Sequence, residues 1–149
     1  MRLLFLFSLV CGAWAADVNF SGTWKMNAQA SDFGNLPAPT SLTRTIDHAE
    51  PKIRVQTVQN GARGEVKSDY SYTTDGKPFT QSGPTGDVKG SARWNGDTLI
   101  VQSTRQVQTI EIQQEDHWTL SKDGKALKVA TRITTPQGIV NITVGFDKQ

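Results

Sequence analysis

Residues 116–146 read DHWTLSKDGKALKVATRITTPQGIVNITVGF, and this stretch decides the fold. Two turn signals, Asp123-Gly124 and Pro136-Gln137-Gly138, divide it into three runs rich in Val, Ile, Thr and Trp. β-Formers punctuated in this way mark antiparallel hairpins. A loop at Asp123-Gly124 sets Leu120 opposite Leu127, Trp118 opposite Val129 and Asp116 opposite Thr131. A loop at Pro136-Gln137 sets Ile133 opposite Val140, Thr131 opposite Ile142, Val129 opposite Val144 and Leu127 opposite Phe146. Both hairpins gather the large apolar residues on one face. A slip of one residue would send a whole set to the other face, so their agreement fixes the register.

The same logic extends back along the chain. A loop at Asn95-Gly96 pairs Ala92 with Leu99, Gly90 with Val101 and Val88 with Ser103. One at Gln106-Val107 pairs Ser103 with Ile110 and Val101 with Ile112. One at Asp75-Gly76 pairs Tyr72 with Phe79 and Tyr70 with Gln81. The opposite face then carries Lys67, Asp69, Lys89, Arg93, Gln102, Glu111, Gln113, Lys128 and Arg132, and is wet. About ten strands result, near 20–26, 41–48, 52–59, 64–74, 78–82, 87–94, 98–105, 107–121, 126–133 and 139–147. Ala28 to Thr40, with Gly34, Pro37 and Pro39, reads as a long loop. No long amphipathic helix is available to cover the apolar face. The expectation is an all-β, antiparallel up-and-down meander closed into a barrel, which removes exposed edges. A β-sandwich is the alternative.

The chain opens differently. Arg2, the apolar run Leu3 to Val10 and Ala13-Trp14-Ala15 have the order of a secretory signal peptide, cut between Ala15 and Ala16. The expected organisation is a signal peptide over 1–15 and one barrel domain over 16–149. The apolar run is too short to span a bilayer, so stable membrane insertion is not expected. Cys11, the single cysteine, would leave with the signal. A disulfide-free exported chain favours a bacterial periplasm, or the extracellular space. The formal net charge is +2 and charges of both signs are interspersed. No basic stripe is present to neutralise a phosphate backbone, which argues against nucleic acid.

Phe20-Ser21-Gly22-Thr23-Trp24-Lys25-Met26 opens the mature chain. It resembles the first-strand signature of the lipocalin and fatty-acid-binding protein superfamily, where Gly-x-Trp starts the barrel. The resemblance implies that Gly22 allows a close backbone approach and that Trp24 plugs one end. There are departures. The stretch from Ala28 to Thr40 cannot supply the helical pair of fatty-acid-binding proteins, and Ile139 to Asp147 lacks their carboxylate-holding Arg-x-Tyr. The last strand also lacks the arginine that many lipocalins pack on the Trp; Arg132 lies one strand earlier. The chain is identified with short, exported, bacterial lipocalin-like proteins.

On the inward face, polar groups stand among Leu99, Val101, Ile110, Ile112, Val129 and Val144. They are Tyr70, Gln81, Ser103, Gln114, Asp116 and Thr131, with Arg105 on the same side as Ser103. An apolar wall with a few convergent polar groups is how small-molecule pockets are built, and Gly90 and Ala92 leave room. These seven residues are the candidate ligand site. The competing reading is a wet barrel mouth, or polar groups that satisfy one another, with Asp116 accepting from Thr131. Arg105 is a candidate partner for Asp116 or a hook for an anion. His48 and His117 read as surface histidines with no metal-binding spacing. Trp24, Trp94 and Trp118 read as packing residues. No cofactor motif occurs, and none is expected.

Three function classes follow. The first is an exported carrier of a small apolar or amphipathic molecule. The second is a barrel that acts on proteins, as a periplasmic inhibitor or envelope assembly factor, with the arm from Ala16 and the loop around Phe33 as its projecting segment. The third is a cavity enzyme with Asp116 as general base.

Overall fold

The computed structural model describes residues 17–149, so the expected signal segment lies outside the described residues. Ten strands run in order: β1 (Gly22–Asp32), β2 (Ser41–Ala49), β3 (Lys52–Gly61), β4 (Gly64–Thr73), β5 (Phe79–Gly83), β6 (Gly86–Asn95), β7 (Thr98–Val107), β8 (Ile110–Leu120), β9 (Ala126–Thr135) and β10 (Gly138–Lys148). They form one antiparallel sheet in the order β4-β3-β2-β1-β10-β9-β8-β7-β6-β5. The sheet curls until β4 touches β5 and β6, giving a nearly closed barrel. A sandwich would need two sheets, and there is one.

The register of the decisive stretch is as expected: Asp116 lies opposite Thr131, Trp118 opposite Val129 and Leu120 opposite Leu127. Ile133 likewise faces Val140, Val129 faces Val144 and Leu127 faces Phe146. Two earlier hairpins turn later than expected. Asn95 pairs with Thr98, so Trp94 faces Leu99 and Ala92 faces Val101. Val107 pairs with Ile110, so Ser103 faces Gln114 and Val101 faces Asp116. The second turn is closed by Gln108 at φ 57°, a left-handed conformation that neither Gly nor Asn advertises here. Both errors are even-numbered. Each residue therefore kept its face while its partner changed.

Two further expectations are corrected. β4 and β5 do not form a hydrogen-bonded hairpin at Asp75-Gly76; they are the two ends of the sheet. The intervening segment instead crosses the barrel base. Thr74 N donates to Pro51 O at 2.8 Å, Gly76 N donates to Ala92 O at 2.8 Å, and Asp75 bridges Arg93. Side chains still span the gap: Tyr72 and Phe79 stack with centroids 5.0 Å apart, and Ser71 N donates to Gln81 Oε1 at 2.7 Å. The second correction concerns the loop after the first strand. β1 continues to Asp32 through an irregularity between Asn27 and Asp32. There the Asn27 side chain accepts from Gln29 N and Ala30 N, and Ser31 Oγ donates to Asn27 O, so local side chains replace the missing ladder.

The core sits at the base. Phe20, Trp24, Ile46, Ile53, Leu99, Trp118, Leu127, Val129 and Phe146 are buried there. Trp24 Nε1 donates to Phe20 O at 2.8 Å, so the plug residue's one polar atom is satisfied. Gly22 holds φ 140°, and a Cβ there would stand 2.7 Å from Lys148 Cε. Lys148 Nζ lies 5.5 Å from the centroid of the Trp24 ring. A lysine of the last strand thus covers the Trp where an arginine was sought, and Arg132 is exposed on the outer face. The arm before β1 does not project. Phe20 is fully buried, and Val18 and Phe33 pack against the core, because apolar side chains at an open barrel end are better buried than solvated.

Candidate ligand cavity

Above the packed base, β2 to β8 wall an interior cavity of about 390 Å³. Its apolar lining includes Val55, Val66, Phe79, Val88, Val101 and Val107. Five of the seven expected site residues line it: Tyr70, Ser103, Arg105, Gln114 and Asp116. The other two do not. Gln81 spends its carbonyl on Ser71 N across the β4–β5 gap. Thr131 is buried behind Asp116, to which its Oγ1 donates at 2.7 Å. Gly90 leaves no open room either. A Cβ there would stand 2.9 Å from Phe79 Cζ, so the Phe79 ring occupies the space that the missing side chain vacates. A shallow depression of about 540 Å³ also lies on the outer wall, lined by residues such as Lys89, Gln102, Glu115 and Arg132. Those belong to the wet face, and the interior cavity is the better-formed site.

The polar groups inside form one chain. Arg105 Nη1 donates to Gln114 Oε1 at 3.0 Å. Gln114 Nε2 in turn donates to Asp116 Oδ1 at 3.0 Å and Oδ2 at 3.1 Å. With Thr131 on Oδ1, the Asp116 carboxylate is held from two sides, and Arg105 reaches it only through Gln114. Burial raises the Tyr70 phenol above its ordinary pKa, with Arg105 opposing. Burial raises Tyr72 more strongly, Asp116 adds to this, and Arg44 pulls the other way. Both phenols are therefore neutral donors at neutral pH.

Sequence reasoning missed Arg44. It lines the cavity from β2, and its Cζ lies 5.3 Å from the Trp118 ring centroid and 5.2 Å from that of Phe146. Its Nε and Nη1 are buried, and they find no hydrogen-bond partner among the described residues; Trp118 Nε1 shares this condition. Burial pulls the guanidinium pKa below its ordinary value, against the raising effect of Asp116 and then Tyr72. A signal for it was present. Leu42, Arg44, Ile46 and His48 alternate along one strand, and the first and third are apolar.

His48 is a correction of its own: it is buried, not a surface residue. Its Nδ1 accepts from Phe20 N at 3.1 Å, which leaves Nε2 to donate to Glu50 Oε1 at 2.6 Å. Trp94 Nε1 and Thr74 Oγ1 complete the Glu50 shell. This network closes the barrel base, and Phe20, His48 and Trp94 stack within it. His117 sits on the outer wall with its side chain 45% exposed, beside Glu115.

No family model matches the chain, and no curated protein does. Solved structures do resemble it. A secretory abundant heat soluble protein from Ramazzottius varieornatus aligns with TM-score 0.61 at 14% identity, over 87% of this chain and 94% of that one. Zebrafish ileal bile acid-binding protein, solved with cholic acid, aligns with TM-score 0.57 at 14% identity, over 87% and 98%. A Schistosoma mansoni fatty acid binding protein, solved with arachidonic acid, aligns with TM-score 0.56 at 15% identity, over 87% and 96%. At these identities the likeness is one of fold, and the fold is the lipocalin-like β-barrel.

Proposed function

We propose that this protein is an exported carrier that binds a small apolar or amphipathic molecule inside its barrel. The cavity carries the reading. A space of about 390 Å³, walled by valines, aromatic rings and polar groups together, is kept open above a tightly packed base, and its size is that of small-ligand sites. Filling such a space with Leu or Phe would stabilise the fold, so leaving it open needs a use. Two structurally similar barrels are solved with an amphipathic acid, cholic or arachidonic, which supports the same class of ligand here. Export rests on Arg2, Leu3 to Val10 and Ala13-Trp14-Ala15.

Nile red, an environment-sensitive apolar dye, tests the cavity. It is expected to brighten with the native protein and to lose that response in Val101→Trp, which fills the cavity from β7. An equal response from both would refute the interior site. N-terminal sequencing of protein recovered from outside the cytoplasm tests export, with Ala16 expected as the first residue.

A further inference from the structure

We infer that two copies of this chain pair through the free edge of β4, antiparallel, about a twofold axis at Val66. The first observation is an open edge. β4 ends the sheet and is 10 residues long, whereas β5, at the other end, has 5. Across the gap Tyr72 meets Phe79, Ser71 meets Gln81, and the Tyr70 hydroxyl lies where a Cβ on Gly83 would stand. β5 stops at Gly83. Gly64 to Asp69 therefore run on past its end, with no strand paired to their outer edge among the described residues.

The second observation is which backbone groups that edge presents. Gly61 pairs with Gly64 across a tight turn, so the even-numbered residues of β4 bond to β3 and the odd-numbered ones turn N–H and C=O outward. Two bonds lower down agree: Thr74 N donates back to Pro51 O, and Ser71 N donates across the gap to Gln81 Oε1. Glu65, Lys67 and Asp69 thus offer a row of free donors and acceptors, which is a template for another strand. Val66 stands between them on the other face, and it is 45% exposed.

The third observation is charge, and it selects the occupant and the register. Arg63, Glu65, Lys67 and Asp69 alternate in sign. Charges of one sign would repel a second copy; alternating charges match one. In a twofold pair, residue i faces j while j faces i. An axis at Glu65 or Lys67 sets like charges opposite each other, which is unfavourable. An axis at Val66 sets Glu65 opposite the second copy's Lys67, Lys67 opposite its Glu65, and Asp69 level with its Arg63. An axis at Ser68 also matches unlike charges, but it lays the new strand against Ser71, whose N–H is already taken by Gln81. With the axis at Val66, Glu65 and Lys67 exchange ladder hydrogen bonds between copies. The two Val66 side chains then meet as a non-hydrogen-bonded pair, where cross-strand approach is closest.

The test is a charge swap across the axis. Sedimentation velocity over a micromolar-to-millimolar concentration series is expected to show a reversible monomer–dimer equilibrium. Lys67→Glu and Glu65→Lys each set like charges opposite one another, twice by symmetry, and each should weaken the dimer about tenfold or more. Mixed in equal amounts, the two variants restore unlike pairs at both positions, and a heterodimer should form with about the parent's affinity. Both side chains are exposed, so thermal melts of the variants should match the parent and show an intact barrel. A parent that stays monomeric throughout leaves the edge to a strand of another protein and overturns the inference. A dimer indifferent to both substitutions, or a mixture that does not recover association, overturns it as well.

Discussion

Thr131 donates from Oγ1 to Asp116 Oδ1 at 2.7 Å across the β8–β9 pair, and both residues are buried. The bond exists because the Asp123-Gly124 hairpin places the two directly opposite each other. It anchors the polar chain that continues through Gln114 to Arg105 at the cavity wall.

Thr131→Val should therefore destabilise the protein by about 1–3 kcal/mol, the range for removing a buried bond to a charged group. The loss should shrink in an Asp116→Ala background, where the acceptor is gone. Urea denaturation of the four proteins measures this coupling. Equal losses in the two backgrounds would show that the bond carries no energy of its own.

Gly90→Ala should cost stability even though alanine is the smallest possible addition. The new Cβ would stand 2.1 Å from Gln102 O, a backbone atom of the neighbouring strand, and 2.9 Å from Phe79 Cζ. Overpacking of this kind costs about 1–3 kcal/mol. A Gly90→Ala protein with an unchanged denaturation midpoint would contradict the close β6–β7 approach.

The barrel base should loosen in acid. Partial burial disfavours the Glu50 charge, but hydrogen bonds from His48, Thr74 and Trp94 prevail and hold its carboxyl below the ordinary value of 4.5. A carboxyl depressed by folding contributes stability that is present above its unfolded pKa and is lost as pH falls through its folded pKa. Stability should thus decline as pH drops below about 4.5, and Glu50→Gln should flatten that part of the profile. Thermal melts from pH 7 downward check it. Superimposable profiles for parent and variant would contradict the network.

Much of this was legible in residues 116–146. The period of two and the turn residues fix which face each side chain takes, and an even slip in the β6–β7 and β7–β8 hairpins does not disturb that. Tyr70, Ser103, Arg105, Gln114 and Asp116 reached the cavity for this reason. Partner identity was less legible. Gln108 turns the chain without a glycine signal, and residues 74–76 bond to other parts of the barrel across the base instead of closing a hairpin. The direction of a long side chain was not legible at all. Gln81 bends to the sheet edge, and the Phe79 ring fills the space beside Gly90. Arg44 was missed because a charged residue between Leu42 and Ile46 reads as a strand exception until the surrounding rings are seen to bury it.

The central claim is that the barrel interior carries a small molecule. Native mass spectrometry of protein purified from cells, set against the same sample denatured, tests it most directly. The expected result is a reproducible extra mass in the native spectrum that disappears on denaturation and is absent from Val101→Trp. A native mass equal to that of the bare chain, unchanged after incubation with lipid and metabolite extracts, would contradict the claim.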